Sequence, residues 1–175
     1  MNVNYPKLFF AALMTIYFVW IAMQPMDGSF LDLVDLPIHE TGHLLFMPFG
    51  EFMMIAGGSI FQIFFPAVFV AYFVWNRKYY SAAIVLFWVG QSIINVWIYA
   101  SDAVVMQLLL TSGRTGSEGG FHDWNYLLTE TGLIDSTTAI AGLIRAAGTL
   151  TILAAAALAI YYSFVPTAED EYDDL

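Results

Sequence analysis

The chain has 175 residues, no cysteine, and only five lysines and arginines in total. Without cysteine there are no disulfides and no thiolate ligands, so any metal must be held by histidine, aspartate or glutamate. Without a basic cluster nothing can neutralise a row of phosphates, which excludes nucleic acid as a partner. Polar residues are scarce as well: 59% of the sequence is hydrophobic and the mean hydropathy is +0.69, well above a soluble globular domain. Half of the formal charge of −10 is local, because Glu169, Asp170, Glu171, Asp173 and Asp174 all fall in the last seven residues. Residues 1–165 are expected to form a single transmembrane domain, and residues 166–175 a solvated, disordered acidic tail.

Crossing a bilayer as helix takes about 20 mostly apolar residues. Residues 8–26, 52–75, 79–101 and 136–165 meet that requirement. Lys7 precedes the first stretch but no small-x-small cleavage site follows it, so it reads as a plain span rather than a signal peptide. Trp20, Trp75, Tyr79, Tyr80, Trp97, Tyr99, Tyr161 and Tyr162 fall near the segment ends, as an aromatic belt does. Residues 36–49 form a further apolar, helix-compatible stretch too short to span comfortably, with Pro37 suited to its first turn and Pro48 and Gly50 closing it. The expected fold is therefore an all-α integral membrane protein. It has four transmembrane helices if the motif-bearing stretch is re-entrant, and five if that stretch crosses.

Lys7, Arg77 and Lys78 assign the cytoplasmic side. With four crossings the acidic tail returns to that side, in the cell membrane. Residues 111–120 are rich in Gly, Ser and Thr and read as a flexible loop. A short amphipathic helix should follow, with Asp123 as its N-cap ahead of Trp124, Tyr126, Leu127 and Leu128. Asp27, Asp32 and Asp35 read as solvated loop charges.

The chemistry-bearing motif is His39-Glu40-Thr41-Gly42-His43. On a helix, positions i and i+4 share a face, so both imidazoles can reach one zinc ion, while Glu40 addresses the water that the ion activates. Two histidines on a buried helix can also be simple packing residues. Ionisable groups in apolar segments are costly, however, and are functional candidates by default. A catalytic zinc usually takes three protein ligands. His122, the third and last histidine, is one candidate for the remaining place, and Asp102, which ends the long apolar run behind Gln91 and Asn95, is the other.

The order His-Glu-x-x-His, then Gly57-Gly58-Ser59 with Gln62 and Pro66, then Asn95 and Asp102-Ala103, resembles the site-two protease family of intramembrane zinc metalloproteases. The likeness covers residues 37–103. It departs from the family at Ala103, where a glycine is usual, and at Gln62, where an asparagine is. The pairing of the motif with His122-Asp123-Trp124 looks more like a compact, divergent branch. The resemblance implies one zinc ion, Asp102 as third ligand, and Gln62 and Asn95 binding substrate backbone or supporting the metal ligands. Asp123 is either a supporting residue of the same kind or a helix cap only. The expected activity is hydrolysis of a membrane-protein or peptide substrate in or near the bilayer, with Glu40 as general base. The alternatives are a non-proteolytic membrane zinc-binding protein, structural or in transport, and a membrane hydrolase of a lipid-linked substrate.

Overall fold

A computed structural model describes residues 3–165; the acidic tail lies outside the described residues. Within them the chain is all-α, and the nearest thing to a strand is an isolated bridge between Leu109 and Thr115. Six α-helices follow one another: α1 (Tyr5–Met23), α2 (Asp32–Phe46), α3 (Glu51–Trp75), α4 (Tyr79–Ser101), α5 (Asp123–Glu130) and α6 (Thr137–Tyr161). Four of them, α1, α3, α4 and α6, are long and apolar enough to cross a membrane, which defines an integral membrane protein. Their outer faces carry large apolar side chains such as Phe9, Ile16, Phe64, Trp75 and Leu150, as lipid contact requires.

One end of the bundle is set by three contacts. The backbone N–H of Asn4 donates to the carbonyl of Ser163 (2.9 Å), the Tyr80 hydroxyl donates to the carbonyl of Lys7 (2.7 Å), and the rings of Tyr79 and Tyr162 stack at 5.4 Å. The start of α1, the turn between α3 and α4, and the end of α6 therefore share that end. Lys7, Arg77 and Lys78 lie on the same side, in agreement with four crossings.

α2 does not cross. Its 15 residues rise about 22 Å. Asp32 and Asp35 at its start meet Gln91, Asn95, Trp88 and Ser92 near the middle of α4, while His43 in its last turn meets Met54 in the first turn of α3. The helix thus begins at half depth and runs to the end of the bundle opposite the N-terminus. It stops where expected: a 3₁₀ turn at Met47–Phe49 contains Pro48, and Gly50 takes φ +93°, the left-handed region open to glycine. Its beginning differs from expectation. Helix starts at Asp32, so Pro37 lies inside it rather than in the first turn.

The expectation that Asp32 and Asp35 are solvated is overturned. Asp32 is hydrogen-bonded to α4, and Asp35 is 1% exposed with Oδ1 accepting from Trp88 Nε1 (2.9 Å) and Ser92 Oγ (3.3 Å). Small residues permit the close helix crossings that lipid-buried bundles use. A Cβ on Gly42 or Gly57 would run into the opposite helix of the α2–α3 pair, and one on Gly90 or Gly148 would strike Ile152 or Ile94 in the α4–α6 pair. The apolar core is built from Ala11 and Phe18 of α1, Phe87 and Ile94 of α4, and Ile152 and Ala155 of α6.

The 111–120 stretch is more ordered than its composition suggests. Thr115 and Glu118 form a capping box around a 3₁₀ turn at Gly116–Glu118, and Leu110 N–H donates to the carbonyl of Arg114 (2.9 Å). The short helix α5 follows, but its N-cap is His122, whose Nδ1 accepts from Asn125 N–H (3.2 Å). That one-residue difference from the expected cap at Asp123 frees the aspartate side chain for another use.

Candidate metal centre

α2 presents Asp32, Asp35, His39 and His43 at spacings of three, four and four, which places them along one face. α3 opposes that face with Gly57, Gly58, Ser59 and Gln62, all buried. Gly58 is where the imidazoles sit. A Cβ there would be 2.5 Å from His39 Nε2 and 2.7 Å from His43 Nε2, so no other residue leaves them room. α5 closes the group from the side. Trp124 Nε1 donates to Ser59 Oγ (3.1 Å), and the Asp123 N–H donates to the Tyr99 hydroxyl (3.0 Å).

This docking brings Asp123 Oδ2 to 3.1 Å from His39 Nε2 and 3.2 Å from His43 Nε2. Among the described residues, His39, His43 and Asp123 are the one group whose ligand atoms could hold a metal ion. The two distances to Asp123 are near the separation of about 3.3 Å between ligands that each lie about 2.0–2.1 Å from a tetrahedral zinc.

The protons argue the same way. His43 Nδ1 lies 2.9 Å from the Met54 carbonyl, and His39 Nδ1 lies 3.0 Å from Gln62 Oε1, both pure acceptors. Each Nδ1 thus has an acceptor for its proton, and in the neutral tautomer that places the proton there each Nε2 is a lone pair. Two lone pairs and a carboxylate oxygen converge with no hydrogen between them. Such a set is stable only around a cation or a captured proton.

Asp102 and His122, the two candidates for a third ligand in the sequence, are not in this group. They pair with each other at 3.4 Å (His122 Nε2 to Asp102 Oδ2), and Asp102 also accepts from the backbone N–H groups of Gln107 (3.0 Å) and Leu108 (2.9 Å). Burial holds the His122 imidazole below its usual pKa against the opposing pull of Asp102. The two residues fasten the loop that delivers α5; the ligand position beside the histidines goes to Asp123. Gln62 and Asn95 do stand behind the metal group: Gln62 Nε2 donates to Asn95 Oδ1 (2.8 Å), and Asn95 Nδ2 donates to Asp32 Oδ1 (3.1 Å).

A cavity of about 660 Å³ opens on the group. Glu40, itself exposed, lines it together with His39, His43, Asp123 and Tyr99, and the remaining wall is largely apolar, including Leu33, Leu36, Ile55, Ile98 and Leu108. The residues that the sequence reading missed are Asp32, Tyr99 and Ser59. The spacing of Asp32 from His39 along one helical face was the available signal for the first.

Fold and site together define an all-α membrane protein with a buried His–His–carboxylate group at the edge of an apolar cavity. Compared with protein-family models, with curated proteins and with solved structures, the chain matches none.

Proposed function

We propose that this protein is a membrane-embedded zinc metalloprotease, similar in its motif to the site-two proteases, that hydrolyses peptide bonds in or near the bilayer. The observation that carries the proposal is the convergence of His39 Nε2, His43 Nε2 and Asp123 Oδ2 at tetrahedral spacing, with both Nδ1 atoms committed as donors and Glu40 on the same cavity wall. Three protein ligands beside an open cavity match catalytic zinc sites, whereas structural sites are closed by four.

Zinc in such a site supplies Lewis acidity, lowering the pKa of a water and polarising a carbonyl. The chain's own residues do the rest. His39, His43 and Asp123 fix the ion, Glu40 takes a proton from the attacking water and returns it to the leaving amine, and the apolar wall holds an extended, hydrophobic segment against the site. The site lies between Met54 and Gln62, about 4 to 17 Å of helix rise from the start of α3, hence within the apolar layer. Placing Lys7, Arg77 and Lys78 in the cytoplasm puts the acidic C-terminal segment there as well and locates the site in the opposite half of the cell membrane.

Glu40→Gln tests the proposal, because it keeps size and hydrogen bonding but removes the base. Zinc content measured by mass spectrometry should stay at one per chain, while turnover falls by about 10²–10⁴-fold. Turnover is read from membrane-protein fragments accumulating in cells. Equal zinc with indistinguishable fragment patterns would point instead to a non-proteolytic zinc protein.

A further inference from the structure

We infer that Asp32 is a positioning residue for the metal centre: it sets the tautomer of His39 from a distance, through two amide side chains. The inference rests on the metal assignment above and goes beyond it, since neither the motif nor the ligand spacing involves Asp32.

The chain of hydrogen bonds has a direction imposed by its ends. Asp32 sits at the start of α2 and, as a carboxylate, can only accept. Its Oδ2 receives the N–H of Ser29 (2.7 Å), and its Oδ1 receives Gln91 Nε2 (2.9 Å) and Asn95 Nδ2 (3.1 Å). Because Asn95 must turn its amino group toward Asp32, its carbonyl oxygen faces Gln62. That oxygen accepts from Gln62 Nε2 at 2.8 Å, so Gln62 in turn shows its carbonyl oxygen to His39. An acceptor at 3.0 Å from His39 Nδ1 requires Nδ1 to carry the ring proton, leaving Nε2 as the lone pair aimed at the metal group.

Each link has only one orientation once Asp32 is fixed. An amide flipped at position 95 or 62 would place donor against donor somewhere along the line. Gln62, the link next to His39, is 2% exposed, so a flip there leaves a mismatched pair with little water to repair it. Groups that orient a metal-bound imidazole are typically worth about 10–100-fold in metal affinity. His43 has a different arrangement, since a backbone carbonyl, which cannot flip, receives its Nδ1 proton.

The decisive comparison uses purified full-length protein in detergent with zinc as the probe. Asp32→Ala should weaken zinc binding by about 10–100-fold. Gln62→Glu serves as the reference: its carboxylate accepts from His39 Nδ1 whichever way Asn95 faces, although with Asp32 in place it also meets the Asn95 amide oxygen, so this variant alone should bind zinc less tightly than wild type. The double variant Asp32→Ala/Gln62→Glu should then bind zinc at least as well as Gln62→Glu alone. A merely structural role for Asp32 would not be rescued by a change at residue 62, so absence of rescue overturns the inference. So does unchanged affinity in Asp32→Ala when His39→Ala has lost the ion.

A second arm does not depend on zinc. In metal-free Asp123→Ala protein at about pH 8, where imidazoles are neutral, histidine nitrogen NMR should find the His39 proton on Nδ1. Adding Asp32→Ala should mix the two tautomers. Failure of zinc to bind wild-type protein, with the NMR result as expected, would sink the metal assignment and leave the relay standing; a His39 tautomer indifferent to Asp32 would sink the relay alone.

Discussion

The two sides of the bundle are built from the same kind of helix but held by different forces. Where α1, α4 and α6 meet, the contact is dry: Phe18 stacks on Phe87 at 5.1 Å, Ile152 is fully buried, and Gly90 and Gly148 let the backbones approach. Where α2 lies against α3, α4 and α5, the contact is polar, with Asp32, Asp35, His39, Gln62, Gln91, Ser92 and Asp123 all directed inward. Helices do not gain by hiding apolar surface from lipid, so the dry side relies on close packing. The polar side relies on hydrogen bonds between its buried groups, and loses sharply when one partner is removed. The dry side thus fails through lost packing and the polar side through lost partners.

The widest separation between the two sides should come from His43→Ala. It removes one of three ligands, and the protein should lose its zinc while keeping its helical circular dichroism, since two remaining ligands seldom hold the ion. Retained stoichiometric zinc would mean that the ligand set is wrong. Gly58→Ala tests the cradle without touching a ligand. The added methyl would stand 2.5–2.7 Å from both imidazoles, so zinc affinity should fall by about tenfold or more, with little change in thermal unfolding. Ile152→Ala reverses the pattern. It should destabilise the protein by about 2–5 kcal/mol in a detergent unfolding assay and leave zinc affinity as it was. A variant on the dry side that altered zinc binding would show that the two sides are coupled and the division false.

Much of this was legible in the sequence. The bounds of α4 agree with the expected span residue for residue, because Lys78 and Asp102 bracket an uninterrupted apolar run. The motif histidines needed only helical spacing to be placed on one face. The remainder depended on things a linear pattern does not contain. His122 and Asp123 are adjacent, and which one turns toward the histidines is decided by where α5 begins. With the cap at His122, its imidazole is spent on Asn125 and Asp102, and Asp123 is turned inward. Asp32 and Asp35 precede the expected helix at residues 36–49 and so read as loop charges, yet helix starts at Asp32 and carries both under α4. The glycines of 111–120 suggested looseness, while the capping box and the bonds from Leu110 N–H to the Arg114 carbonyl and from Gly120 N–H to the Thr115 carbonyl give that stretch a defined path.

That path has a mechanical consequence. His39 and Asp123 are 84 positions apart in the chain, so an ion held by both would act as a removable cross-link that closes about half of the polypeptide into a ring. The cost of such a closure in a free chain grows only with the logarithm of its length, and here α3, α4 and the loop bonds of Asp102 have already met it. Metal binding therefore needs to order little more than α5, eight residues anchored at Ser59 and Tyr99. An ion bound there would be a latch on one short helix, adding the grip of the Asp123 carboxylate to the anchors at Ser59 and Tyr99.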